Sequence, residues 1–200
     1  MLEEQFSEYA LKPYTISLPQ GTGSGLFRAR LTEVKDGAVL PIIAKLIEDG
    51  DVTIATSADR DVREQSYEEL VEGADRASRV VRVQFASPTV IVCNGRPAPY
   101  PVFPALIDYY VRMWNGFSGM ETEGTEDVVE HVEVKDFKIS YASTALGAGF
   151  EGWIDCEMSL GRTEAEISLF NRLIDFAFYC GTGLHTDKGM GQTRRAKKQF

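Results

Sequence analysis

A glycine-rich segment near the C-terminus has residue types and a spacing suited to binding an anionic chain. Residues 181–191 read Gly-Thr-Gly-Leu-His-Thr-Asp-Lys-Gly-Met-Gly, so four glycines flank a histidine and a lysine. Positions without a Cβ let backbone N–H groups come close to an anion. Side-chain contacts to phosphate are predicted from His185, Thr186, Lys188 and Arg194.

Two familiar glycine motifs are excluded by their context. The dinucleotide fingerprint follows a strand and opens a helix, whereas here a helical pattern comes before the glycines. A P-loop needs Gly-Lys-Ser/Thr, and this chain has Lys188-Gly189-Met190. A structural alternative stays open, in which Gly181 caps the preceding helix and the rest is a connector.

Charge is distributed unevenly along the chain. The net charge of −9 alone argues against a nucleic-acid binder, which usually carries a basic footprint. Residues 185–200, however, hold five basic residues against one acidic residue, a balance of +4 that leaves −13 for the rest. The chain is therefore an acidic body with a short basic end, next to the glycine-rich segment.

The second half of the chain alternates strand and helix patterns. Period-2 and period-3.6 apolar spacings predict β-α-β-β-α-β, over 79–93 with a bend at Ser87-Pro88, 103–116, 132–141, 150–158, 163–180 and 190–195. A turn is expected at Asn94-Gly95, another at 147–149, and an acidic loop at 121–130. This order is that of a ferredoxin-like fold, shared by RNA-recognition modules.

The first half gives the same pattern in incomplete form. Strands are predicted at 13–18 and 26–34, a helix at 39–47 and a strand at 52–54, then a linker at 57–78 with one helical turn near 67–71. We therefore expect an α+β protein of two tandem ferredoxin-like units, the first lacking its opening strand and helix. The expected domains are 1–78 and 79–200.

The C-terminal stretch from Phe176 to Arg195 resembles the signature of the CRISPR-associated repeat-RNA-processing endoribonucleases, which belong to the repeat-associated RAMP group. Three upstream segments are also similar to that family: Lys12-Pro-Tyr-Thr-Ile-Ser17, Ser87-Pro-Thr89 with the helix ending Arg112-Met-Trp-Asn115, and Phe150-Glu-Gly-Trp153. The resemblance implies tandem ferredoxin-like folds that bind CRISPR repeat RNA in precursor CRISPR RNA. The implied RNA contacts are Gly181, Gly183, Thr186, Lys188, Gly189, Gly191, Arg194 and Arg195.

The resemblance also implies a metal-free reaction, in which a ribose 2′-OH attacks the neighbouring phosphate and leaves a 2′,3′-cyclic phosphate and a 5′-OH. Such a reaction needs a proton acceptor, a proton donor and positive charge. Histidine suits proton transfer near neutral pH, and the chain has only His131 and His185. We predict His185 and Lys188 as the catalytic residues, with His131 as a surface residue.

Family members usually take a catalytic histidine from the N-terminal half, and this sequence has no histidine before residue 131. Three explanations stay open: a truncated gene product, an element supplied by another subunit, or binding without cleavage. The second gives other CRISPR effector subunits as partners, and the third gives a non-catalytic RNA-binding or scaffold subunit. An unrelated interaction domain with a glycine connector is a further alternative.

The remaining features exclude several classes of protein. Cys93, Cys156 and Cys180 are far apart, which favours small buried side chains over a disulfide framework or a zinc site. We expect no metal ion and no cofactor. No apolar run has membrane-spanning length and no signal peptide is evident, so a cytoplasmic location is expected.

Overall fold

The computed structural model describes residues 11–17, 20–21, 27–37 and 64–196, with the isolated positions 41, 44 and 48. Its elements are β1 (Tyr14–Ile16), β2 (Gln20–Gly21), β3 (Phe27–Arg28), β4 (Leu31–Glu33), α1 (Tyr67–Glu72), β5 (Val80–Thr89), β6 (Ile91–Cys93), β7 (Arg96–Ala98), α2 (Phe103–Phe117), α3 (Thr125–His131), β8 (Val132–Thr144), β9 (Gly147–Met158), α4 (Glu164–Cys180), a 3-10 turn (Thr186–Lys188) and β10 (Thr193–Ala196).

A four-stranded antiparallel sheet with strand order β10-β5-β9-β8 organises the second half. Helix α2 connects β5 to β8, and α4 connects β9 to β10, so each helix joins two strands that are separated by a third. This split β-α-β arrangement is the ferredoxin-like topology. The predicted fold class is therefore confirmed.

The strands of the first half form short pairings. Strand β1 is antiparallel to β4, with Tyr14 opposite Glu33, and β2 is antiparallel to β3. The predicted strand at 13–18 contains β1, and the predicted strand at 26–34 contains β3 and β4. Strand β2 was not predicted, and most of the segment between the two predicted strands falls outside the described residues. The predicted helix at 39–47 falls mainly outside the described residues, although Pro41 and Ala44 have helical backbone. The predicted strand at 52–54 lies outside them.

The core lies between one face of the sheet and the helices α2 and α4. Alternate residues of β5, namely Val81, Val83 and Phe85, are at most 3 % exposed, as expected for a strand with one buried face. The Trp114 ring of α2 meets Phe176 of α4 edge to face, with centroids 5.2 Å apart. Both helices turn an apolar face toward the sheet. The helical spacing of apolar residues in the sequence therefore predicted where these helices lie.

Two details of the second half differ from the sequence prediction. The segment predicted as an acidic loop contains α3, which buries Val128 fully and exposes its acidic residues. The turn of the long hairpin lies at 145–146, and Gly147 already belongs to β9. The bend at Ser87-Pro88 is confirmed, because the pairing of β5 with β9 shifts register between Phe85 and Thr89.

Asn171 joins α4 to the segment before β5. Its side-chain amide donates to the carbonyl oxygens of Asp75 at 3.0 Å and Ser78 at 2.8 Å, and its oxygen accepts from Arg195 at 2.8 Å. Asn171 is fully buried, so these bonds are shielded from water. The residue fixes where β5 begins relative to α4. Among the described helices, none has the length and apolar character needed to cross a membrane.

Replacing Asn171 by alanine should lower the free energy of unfolding by about 2 kcal/mol or more, because a fully buried side chain with hydrogen bonds to Asp75, Ser78 and Arg195 is removed. Urea unfolding measures the loss. Thr163→Ala is the comparison, since it removes only the capping box of α4 and should cost about 1 kcal/mol. Equal losses for the two variants would show that Asn171 does not join the segments.

Candidate nucleic-acid interface

Backbone hydrogen bonds attach the glycine-rich loop (181–192) to the end of β5 and to Val90, which lies between β5 and β6. Leu184 N donates to Val90 O at 2.8 Å, and Gly191 N donates to Pro88 O at 2.8 Å. Ala86 N in turn donates to Gln192 O at 2.7 Å. We call this set of bonds the loop seam. It gives the loop one fixed shape instead of leaving it a mobile connector.

Glycines are required along the loop seam because backbone passes over backbone. A Cβ on Gly183 would lie 2.0 Å from Val90 O, and one on Gly191 would lie 2.1 Å from Thr182 O. Both residues also have positive φ, which side chains disfavour. The sequence prediction assigned these missing Cβ atoms to the approach of an anion. The structure shows that Gly183 and Gly191 serve the packing of the loop itself.

Side-chain hydrogen bonds attach the loop to α2 and to β10. The Thr182 hydroxyl is hydrogen-bonded to the Tyr110 hydroxyl at 2.8 Å and to the Thr193 hydroxyl at 2.7 Å. The Thr186 side chain shares a hydrogen bond with Tyr109. Burial raises the pKa of Tyr109 well above its ordinary value, so its phenol stays protonated at neutral pH.

Strand β1 and the residues before it lie along the same loop. Lys12 forms an ion pair with Asp187 at 3.3 Å, and their side chains are only 11 % and 4 % exposed. Thr15 Oγ1 donates to Tyr179 O at 3.3 Å, and Gln192 Nε2 donates to Ile16 O at 3.0 Å. The N-terminal strand is therefore a structural neighbour of the loop.

His185 stands where these elements meet. It has left-handed backbone, with φ of 60°, and it precedes the 3-10 turn that carries Lys188. A cavity of about 110 Å³ opens beside it, lined by residues of the loop, of α2 and of the segment before β1. Lys12 and Arg112 line this cavity together with His185. Both cations are ion-paired, Lys12 with Asp187 and Arg112 with Asp108 at 3.1 Å.

The other predicted site residues differ in their exposure and in their hydrogen-bond partners. Arg194 is exposed and its Nε donates to Gln84 at 3.0 Å, while Thr186 and the glycines 181, 189 and 191 are buried in the loop. Arg195 instead bonds to the Asp175 carboxylate at 2.6 Å and to Asn171. His131 ends α3, where its carbonyl accepts from Ser159 N at 2.9 Å.

Sequence reasoning missed Lys12, Tyr109 and Arg112 as neighbours of the loop. Lys12 and Arg112 stand inside the resembling segments, but nothing in their spacing shows that they meet at His185. Two cysteines follow the prediction, since Cys156 and Cys180 are fully buried. Burial raises the pKa of the Cys156 thiol to about 12, so it stays protonated.

The split β-α-β sheet places the chain among the α+β proteins with a ferredoxin-like fold. A family model for the CRISPR-associated endoribonuclease Cas6 matches residues 83–193, which is more than half of the chain. The chain belongs to this family. No curated protein is significantly similar to it in sequence.

Solved structures of Cas6 proteins are similar to the chain along most of its length. Cas6 from Thermus thermophilus is 26 % identical with a TM-score of 0.74, over 98 % of this chain and 84 % of that one. A Cas6 substrate-mimic complex has 21 % identity and a TM-score of 0.72, over 92 % and 85 %. A Cas6 product complex has 24 % identity and a TM-score of 0.75, over 96 % and 86 %.

Gly183→Ala should lower the free energy of unfolding by about 3 kcal/mol or more, because the new Cβ meets Val90 O and the backbone is left-handed. Gly161→Ala is the matched control, since its φ is the same 79° but nothing lies within 4 Å. It should cost about 1–2 kcal/mol. Equal losses in urea unfolding would mean that the loop seam is not tightly packed.

Proposed function

We propose that this protein binds CRISPR repeat RNA in precursor CRISPR RNA and cuts it without a metal ion. The observation that carries the proposal is the position of His185, beside a cavity in a loop that backbone hydrogen bonds fix, in a member of an endoribonuclease family. Cas6 proteins of the same fold form complexes with a substrate mimic and with product. These complexes support repeat RNA as the substrate of this chain.

The proposed reaction is an internal transesterification. The ribose 2′-oxygen loses its proton and attacks the adjacent phosphorus, while the bond from phosphorus to the 5′-oxygen breaks. The leaving 5′-oxygen takes up a proton, so the products are a 2′,3′-cyclic phosphate and a 5′-OH. Positive charge near the phosphate stabilises the transition state, in which negative charge builds up on the phosphate oxygens.

His185 is the proposed proton-transfer group, and Lys188 is the proposed source of charge for the phosphate. Imidazole titrates near neutral pH and can both accept and donate a proton. Tyr109 is less suited to act as a base, because its raised pKa keeps the phenol protonated. Lys12 and Arg112 line the same cavity, where Asp187 and Asp108 offset their charges.

The remaining RNA contacts follow the surface of the loop and the strand after it. Of the residues predicted to contact RNA, we propose direct contacts from Gly183, Arg194 and Arg195, of which Arg194 is the most exposed. For Gly181, Thr186, Gly189 and Gly191, which are buried, we propose a supporting role in the shape of the loop. The proposed domains are 1–78 and 79–200, since β5 opens the C-terminal sheet at Val80. Other CRISPR effector subunits are proposed as further partners.

A second candidate function is an RNA-binding subunit that leaves the RNA intact. The chain has two histidines, and the structure places one of them in the candidate site, so paired histidine acid–base catalysis is not available there. Such a subunit would bind repeat RNA through the same loop.

A labelled repeat RNA incubated in EDTA tests the proposed reaction. Cleavage should continue in the chelator, and a copy with a 2′-deoxy sugar at the cut should stay intact, because its nucleophile is missing. Gel analysis of the two RNAs measures both results. Tight binding without cleavage would support the second candidate function, and cleavage of the deoxy copy would contradict the 2′-OH mechanism.

Lys188→Ala and Arg194→Ala should each weaken RNA binding and reduce the slope of log Kd against log salt by about one unit, as the loss of one phosphate contact does. Binding titrations at several salt concentrations measure this slope. Arg76→Ala, an exposed arginine after α1, is the control and should leave the slope unchanged. An unchanged slope for both variants would remove these side chains from the RNA contacts.

A further inference from the structure

The face of the C-terminal sheet that α2 and α4 leave uncovered carries an ordered row of side chains. Arg194 of β10 lies opposite Gln84 of β5, Gln84 lies opposite Trp153 of β9, and Trp153 lies opposite Lys138 of β8. We call these four residues the cross-strand row. With strands about 4.8 Å apart, the row extends over roughly 14 Å.

Trp153 is held in place by its neighbours on this face. The guanidinium of Arg82 lies over the indole, 3.6 Å from the ring centroid. Two hydrogen bonds to the Asp155 carboxylate, at 2.7 and 2.9 Å, fix that guanidinium. Asp155 is almost fully buried. The indole is therefore a preorganised, partly exposed ring, of which Arg82 covers one face. A base that stacks on the remaining part of the ring costs the indole little conformational freedom.

The cross-strand row is positive at both ends. Arg194 bonds to the neutral Gln84 amide, and Lys138 is exposed, with no ion pair to a carboxylate among the described residues. The neighbouring row of cross-strand pairs carries Asp136 opposite Asp155. The row beyond that one carries Glu133 opposite Glu157. A ligand with negative charge would thus follow the cross-strand row rather than the rest of the face.

A second arginine lies close to the β10 end of the row. Arg30, which precedes β4, bonds to the Gln192 side chain and stacks 4.2 Å over the Phe178 ring. Phe178 and Arg194 line one cavity, so Arg30 and Arg194 lie at the same edge of the sheet. Burial mainly, and then the charge of Arg194, lower the pKa of Arg30. Among the described residues no carboxylate pairs with either guanidinium. An anion between them would relieve this repulsion.

We propose that the cross-strand row binds two or three single-stranded nucleotides of the RNA, with a base on Trp153 and phosphates at Arg194 with Arg30 and at Lys138. The proposal rests on the proposed function and names a second contact region of the same RNA, apart from the glycine-rich loop. Sheets of RNA-recognition modules stack two or three bases on aromatic side chains, which matches the length of the row.

Single-stranded RNA suits this face better than a protein partner does. A protein-binding core is apolar and depleted of charge, whereas this face alternates charged and polar side chains around one aromatic ring. Aromatic stacking combined with flanking cations is the usual way in which proteins hold single strands. The exposed Phe137 of β8 projects from the opposite face, so it offers a control for an aromatic outside the row.

Titration with oligouridylate of about eight nucleotides tests the proposal, a length within the range that one single-strand-binding domain covers. The chain has two tryptophans and Trp114 is 0 % exposed, so quenching of the emission would report on Trp153. Trp153→Leu should weaken oligouridylate binding about 5- to 150-fold, the usual effect of one lost stacking contact. Trp153→Phe should restore part of it, and Phe137→Leu should change nothing.

Lys138→Gln gives a second measurement that does not depend on packing, because Lys138 is exposed. It should reduce the salt slope of oligouridylate binding by about 0.7, the value for one contact to a single strand. No quenching, with Trp153→Leu and Lys138→Gln binding like the unchanged protein, would overturn the proposal. If repeat RNA is still bound and cut in that case, the proposed function stands; if no RNA binds at all, both fall.

Discussion

The close passage of the glycine-rich loop over the β5–β6 turn is the constraint on which the candidate site depends. Backbone bonds to Pro88 and Val90 fix the loop. A Cβ on Gly183 would meet Val90 O, and one on Gly191 would meet Thr182 O within the loop itself. Since loops built from backbone contacts have little freedom, the loop seam determines where His185 and Lys188 stand. The chemistry of the site follows from this geometry.

The glycine-rich loop also connects the two halves of the chain. The buried ion pair between Lys12 and Asp187 and the bond from Gln192 to β1 attach the N-terminal strand to the rim of the loop. Separation of these partners would leave a charge buried without its counterion, which is costly.

Residue patterns predicted the C-terminal fold well, because α2, α4 and the strands bury regular apolar faces. They did not predict α3, because a helix with one fully buried residue, Val128, shows no repeating pattern of apolar residues. Sequence analysis identified the glycines but not the groups that lie beside them. A position without a Cβ is compatible with a close RNA chain and with a close protein backbone alike. Contacts between distant segments, such as Lys12 with Asp187 or Arg195 with Asp175, leave no trace in sequence spacing.

Single-turnover cleavage of repeat RNA by His185→Ala, measured beside its Kd, tests the central claim most directly. If His185 transfers a proton in a rigid loop, the cleavage rate should fall about 10²–10⁴-fold, the usual contribution of such a group. The Kd should change only a few-fold, because the loop seam is made by backbone groups of residues 184, 191 and 192 and does not involve residue 185. An unchanged cleavage rate would contradict the account and move the proton-transfer role to another residue.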